Sequence, residues 1–348
     1  MKKETAIILI IPLAAFACLC TGRYPIDPGQ VFPLLLSGIG ALSGPETGVS
    51  WPEYELPREL VMIFWNIRIP RIVMSIMVGA GISTAGAVFQ ALFRNPLAAP
   101  DILGVTAGSC FGAALAIMFL VPLAWIIQSS AFIFGIIAVS LAYILASWSK
   151  DHSPSVLVIS GIVISALFQA GLSFIMYLAN PYDQLAQIVF WTMGSFHTAS
   201  WTKIQITAPI LISGILLVSL FSWRLNIMTQ NEEDALSMGI DVFKWRVFYV
   251  VISTLMVACS VAAVGTVAWI GLIVPHIARY LTGSEHRRLI PATAVLGGLF
   301  LLIMDSVARS ILMSEIPISI VTSIFGAPFL AYLVIRSGSG KMRHEPAA

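Results

Sequence analysis

Long apolar runs, separated by short stretches rich in charge, proline and glycine, dominate the 348-residue chain. A bilayer core about 30 Å thick takes roughly 20 helical residues per crossing. The runs fall at 6–22, 62–92, 102–121, 125–147, 155–178, 203–223, 247–270, 272–283, 291–311 and 318–335. This pattern predicts an all-α, polytopic membrane protein of about ten transmembrane helices in one domain spanning 1–348. The eighth run is too short to cross unaided and is expected as a half-helix starting at Pro275, held inside protein. Lys2 and Lys3 ahead of the first run also fit a signal peptide, but the run is long for an h-region.

Composition narrows the picture further. Apolar residues make up 58% and charged residues 10%, against about 25% charged in a soluble domain, so the charged surface of a soluble protein cannot be built. A net charge of +2 offers no field for nucleic acid. The four cysteines, Cys18, Cys20, Cys110 and Cys259, lie within apolar stretches without metal-ligand spacing and read as small hydrophobes. No metal site, phosphate-binding glycine loop or nucleophile–base set is visible, so no cofactor and no catalytic role are expected in this chain.

Basic residues set the expected orientation. With the N-terminus inside, Lys2, Lys3, Arg94, Lys150, Arg224, Lys244, Arg246, Arg287, Arg288, Arg336, Lys341 and Arg343 lie on the inner side. Only Arg23, Arg58, Arg68, Arg71, Lys203 and Arg309 lie toward the outside. Both termini are therefore expected in the cytoplasm, with a flexible tail at 337–348. On the outer side, 23–61 is expected to carry a short helix from about Leu56, and Asp183–Met193 a short interfacial or re-entrant helix ended by Gly194.

The longest inner loop, 231–246, reads NEEDALSMGIDVFKWR. Its acids suit a helix start at Glu232, Gly239 a stop, and Asp241 the cap of a second short helix. Glu232, Asp234, Ala235, Leu236, Met238, Gly239, Ile240, Val242 and Phe243 form an insert with a large apolar fraction. It is read either as a helix pair lying on its own bundle or as a knob that docks a cytoplasmic partner.

Several stretches together resemble the FecCD-type permeases of ATP-binding-cassette importers. They are RIPRIVMSIMVGAGISTAGAVFQALFRNPLAAPDILGVTAGSCFGA (68–113), DALSMGIDV in the insert, GLIVPHIARYLTG (271–283) with HRRLIPATAVLGG (286–298), and Asp305–Arg309 followed by EIPISIVTSIFGAPFLAYLVI (315–335). The similarity covers the chain from residue 60 onward, while the outer segment 39–60 is longer than usual. The resemblance implies a two-fold dimer, a translocation path between its copies, and two cytoplasmic ATPase subunits that bind ATP and Mg and engage the insert. It also implies an extracytoplasmic binding protein delivering an iron-siderophore, haem or cobalamin, with ferric siderophore chosen here. The rival is an ion- or proton-coupled secondary transporter, against which stands the scarcity of acids inside the runs, Asp305 being the clear one.

The resemblance also suggests individual roles. Arg68 and Arg71 flank Ile69–Pro70 where basic residues are disfavoured; they snorkel, pair with Glu55 or Glu59, or, with Arg309, form an outward basic socket for the binding protein. Asp305, four residues before Arg309, is expected to neutralise it. Asn95 and Leu97 in the loop RNPLAAPD, with Ser155, are read as a cytoplasmic gate, or the two prolines of that loop as simple stiffeners of an inner turn. His276 is read as a packing and hydrogen-bonding residue, His197 as facing the outer vestibule without touching substrate, and Trp51, Trp65, Trp201 and Trp245 as interfacial anchors.

Overall fold

A computed structural model describes residues 2–22, 24–43, 56–121, 123–149, 153–230 and 232–341. Among them the regular elements are helices. These are α1 Lys2–Cys20, α2 Pro28–Ser43, α3 Arg58–Ile63, α4 Ile69–Leu92, α5 Val105–Phe119, α6 Ala124–Ser147 and α7 Pro154–Leu178. They continue with α8 Gln184–Met193, α9 Trp201–Met228, α10 Glu232–Ser237, α11 Val242–Val264, α12 Ile270–Thr282, α13 His286–Ser310 and α14 Ile318–Lys341. A π-helical turn at Phe64–Arg68 joins α3 to α4 without a break. It directly precedes Pro70, whose ring would clash with the carbonyl of a regular preceding turn and which lacks an N–H for it.

Each of the ten apolar runs holds a helix. Among the described residues, six helical stretches are long and apolar enough to cross a bilayer: Arg58–Leu92, α6, α7, α9, α11 and α13; shorter apolar helices lie in α1, α5 and α14. The bundle is wrapped around α4, which packs against α9, α11, α12 and α13. Glycines permit this: Gly79 lies against Gly297 of α13, and Gly86 against Gly271 of α12, too close for any Cβ. Small residues at helix crossings are how membrane bundles gain dispersion contact, since lipid removes the hydrophobic drive between helices.

The structure corrects four expectations. The outer segment carries α2, which sequence reading missed because Pro28, Pro33 and three glycines interrupt its apolar pattern. Its Leu34 carbonyl accepts from the Trp65 indole at 2.8 Å, and Val31 and Leu34 join a core with Leu19, Leu60 and Phe64. The half-helix α12 begins at Ile270 rather than Pro275, which lies inside it. The helix capped by Asp241 is no separate short element, because it runs on as α11 to Val264. The tail from Ser337 is still helical as far as Lys341. Glu46, Trp51, Glu53 and Glu55 of the outer segment lie outside the described residues.

Candidate functional site

The insert lies between α9 and α11. Gly239, at φ +75°, ends α10, and Asp241 caps α11 by accepting from the Lys244 amide at 3.1 Å. The Lys244 hydrogen bond and ion pair, 2.9 Å, hold the Asp241 carboxyl below its ordinary range. Ala235, Ile240 and Val242 are buried and anchor the insert, whereas Leu236, Met238 and Phe243 are 62%, 61% and 62% exposed. Glu232 and Asp234 fall within α10, but their side chains are outside the described ones. Behind the insert, Trp245 packs on Phe221, Phe248 and Tyr249, with the Arg224 guanidinium 3.8 Å from its ring centre. Tyr249 donates to the Phe221 carbonyl at 2.8 Å. Trp245 is thus part of an aromatic clamp.

The three arginines expected to form an outward socket point into protein instead. Arg68, Arg71 and Arg309 are only 4%, 7% and 8% exposed. Arg68 donates to the carbonyls of Leu19 and Tyr24, and Arg309 to that of Cys18 at 2.5 Å. Together they satisfy the orphan carbonyls of Cys18 and Leu19 at the C-terminal end of α1, where positive charge is favoured, and Arg68 also ties down the Tyr24 carbonyl just beyond it. Among the described residues Arg71 forms no ion pair with Glu59, and Glu55 lies outside them. Its guanidinium meets Asp305 at 2.8 Å and Glu315 at 2.8 Å. Asp305 therefore serves α4 by direct contact, rather than hydrogen-bonding its helical neighbour Arg309. Sequence spacing alone could not reveal this, since Arg71 and Asp305 are 234 positions apart.

Three cavities mark the bundle. The first, about 840 Å³, lies at the insert end and is lined by Arg94, Tyr143, Pro154, Val156, Phe243 and Arg246. Both expected gate loops reach it through Arg94, Pro154 and Val156, while Asn95, Leu97 and Ser155 themselves are exposed beside it. Asn95 Oδ1 accepts from the Leu97 amide at 2.9 Å, and the Pro96 carbonyl contacts His276 Nε2 at 2.9 Å. His276 is thus a hydrogen-bonding strut between this loop and α12.

The second cavity, about 850 Å³, lies at the far end of α9 and is lined by Tyr182, Trp191, His197, Lys203 and Glu315 among others. From Lys203 to Met228, α9 rises about 38 Å, which places this cavity across the bundle from the insert. Lys203 Nζ donates to Thr198 Oγ1 at 2.7 Å and to the Ala263 carbonyl at 3.1 Å. His197 Nδ1 lies 2.9 Å from Ser195 Oγ. Burial first, then Arg71 and Lys203, hold the His197 pKa below its ordinary value against the opposing pull of Glu315.

The third cavity, about 350 Å³, lies among α4, α5, α11 and α12 and is lined by Pro100, Asp101, Thr106, Thr266 and Trp269, among others. Sequence alone gives Asp101 no role, because the loop carrying it reads as an inner-surface turn. Two prolines within six residues were the available hint that the loop turns back into the bundle. Among the described residues, no group of three or more His, Cys, Asp or Glu side chains is placed to hold a metal ion.

A bundle of apolar helices with broken segments, cavities at both ends and a projecting insert at one end is the architecture of a polytopic membrane protein. The chain belongs to the FecCD transport family, whose model matches residues 8–336, and with it to the permease subunits of ATP-binding-cassette transporters, membrane proteins of the transport class. It is 36% identical to the molybdate import system permease protein of Haemophilus influenzae, over 96% of this chain and 95% of that one. It is 38% identical to the iron(3+)-hydroxamate import system permease protein of Bacillus subtilis, over 79% and 84%. A solved metal-chelate type ABC transporter in an inward-facing conformation superposes with a TM-score of 0.82 at 33% identity, covering 96% of this chain and 98% of that one.

Proposed function

We propose that the chain is the permease subunit of an importer for a bulky metal chelate, with a ferric siderophore as the cargo to test first. Two copies pair about a two-fold axis, a binding protein delivers cargo at the Lys203 end, and two ATPase subunits bind ATP and Mg at the insert end. The observation that carries this reading is the insert. Leu236, Met238 and Phe243 are exposed on a short segment whose buried residues and aromatic clamp fix it to α9 and α11. A rigid apolar knob transmits a push to the helices behind it, and an exposed apolar patch in water calls for a protein surface to cover it. In this scheme ATP-driven motion of the knob alternately opens the far cavity and the loop bearing Asn95 and Leu97.

A second reading of the cargo, molybdate, is favoured by the 36% identity to a molybdate permease along nearly the whole chain. Mild-detergent co-purification with the proteins encoded beside this chain, followed by an ATPase assay, tests the importer reading. The expected result is a hydrolysing complex that is lost when Leu236→Asp and Phe243→Asp are combined. A stable chain without an ATPase, accumulating solute on an ion gradient alone, would establish a secondary transporter instead. Uptake of ferric siderophore against molybdate by the reconstituted complex decides the cargo.

A further inference from the structure

Asp101 sits deep in the bundle although it belongs to a loop. The loop after α4 folds back so that Pro100 packs against Gly271 and the Ile82 carbonyl lies beside the same glycine. Ile82 is about 15 Å along the helix from the end of α4 at Leu92, roughly half of a hydrocarbon core about 30 Å thick. Two helices are interrupted at this level. Helix α5 starts only at Val105, and α12 starts at Ile270 after Trp269 takes up φ +68°. Irregular backbone at membrane depth persists only where it is enclosed by protein or lines a watery cavity. Here it borders a space of about 350 Å³ bounded by Asp101, Thr106, Thr266 and Trp269 together with apolar residues such as Val257 and Val261.

Asp101 is exposed in that wall. Its Oδ1 accepts from the Thr106 amide at 3.1 Å, and among the described residues it forms no ion pair. A carboxylate cannot face lipid at this depth, and one used only as a helix cap would not need an open cavity beside it. The same loop leads from Asp101 to Asn95 and Leu97 at the insert end, so cavity and exit are joined by one segment. We propose that Asp101 is a station on the translocation path itself, where its carboxylate receives the positive or hydrogen-bond-donating groups of the cargo. This rests on the permease reading above and adds the class of cargo: a chelate bearing ammonium, hydroxyl or amide donors, not a bare oxyanion.

Two experiments on the full transporter test it. In the first, Asp101→Cys is treated with a charged, membrane-impermeant maleimide, with the wild-type chain as the background for the four native cysteines. Labelling above that background is expected, and a variant that takes up no more label than the wild type would overturn the placement on the path whether or not an ATPase is bound. In the second, proteoliposomes take up a ferric trihydroxamate bearing a free ammonium group, with molybdate as the contrasting probe. Asp101→Asn keeps the side-chain size and the cap to Thr106 but removes the charge. It is expected to lower uptake of the ammonium chelate about tenfold or more, the worth of one charge-assisted hydrogen bond, while Asp101→Glu retains most uptake. Undiminished uptake by the Asn variant, or wild-type transport of molybdate at least as fast as of the chelate, would overturn the inference. Loss of the ATPase complex itself would count against the importer reading alone.

Discussion

Arg71 and Asp305 meet side to side, with Nε 2.9 Å from Oδ2 and Nη2 2.8 Å from Oδ1, and so lock α4 to α13. Both residues are buried, and Arg71 extends its remaining arm to Glu315 just before α14. Removing one member of a buried pair leaves an uncompensated charge, at a cost of about 3–5 kcal/mol. Arg71→Met and Asp305→Leu are each expected to lower thermal stability in detergent strongly, and the double variant to recover much of the loss. A double variant as unstable as the sum of the singles would mean that the pair does not act as a unit.

That contact also shows what could and could not be read from sequence. The ten apolar runs, the short helix ended by Gly194 and the Gly239–Asp241 punctuation are local patterns, and each is found as a helix or a cap. The interpretation of Arg68, Arg71 and Arg309 depended instead on which groups lie opposite them. Those partners, the end of α1 and Asp305, come from positions far along the chain. Asp101 escaped for a related reason: the depth of a loop is set by how it packs on α4 and α12, and hydropathy is blind to that.

Gly86 is the point where α4 touches α12. A Cβ there would strike the Gly271 backbone, which cannot move aside as a flexible side chain would. Gly86→Val is expected to push the two helices apart at a cost of about 1–3 kcal/mol. It should also disturb the Gln90 Nε2 to Leu272 carbonyl bond of 3.1 Å nearby. The check is a thermal melt of the purified variant beside the wild-type protein. Equal melting temperatures would contradict the close crossing.

His197 makes a pH-dependent contribution. Its pKa is lowered from 6.5, chiefly by burial, so the folded protein prefers the neutral ring. The unfolded chain then binds the proton more readily. The contribution of this group is complete above about pH 6.5 and is lost as pH falls through the folded-state value. Stability measured between pH 8 and pH 5 should therefore fall less steeply in His197→Gln than in the wild type. Parallel curves would exclude His197 as a source of the slope.

Gly239 is the remaining weak point of the knob. Its φ of +75° suits glycine, and nothing lies within 4 Å of the place a Cβ would occupy. Any penalty of substitution is thus backbone strain and not a clash. A left-handed conformation costs a non-glycine residue about 1–2 kcal/mol, more for a β-branched one and less for asparagine. Gly239→Val is expected to displace α10 relative to the clamp at Trp245, leaving membrane insertion intact while ATP hydrolysis continues without transport. Gly239→Asn should stay near wild type in both. The comparison to make is the ratio of cargo moved to ATP hydrolysed in proteoliposomes. If Val and Asn gave the same ratio as glycine, the geometry of this turn would have no part in coupling.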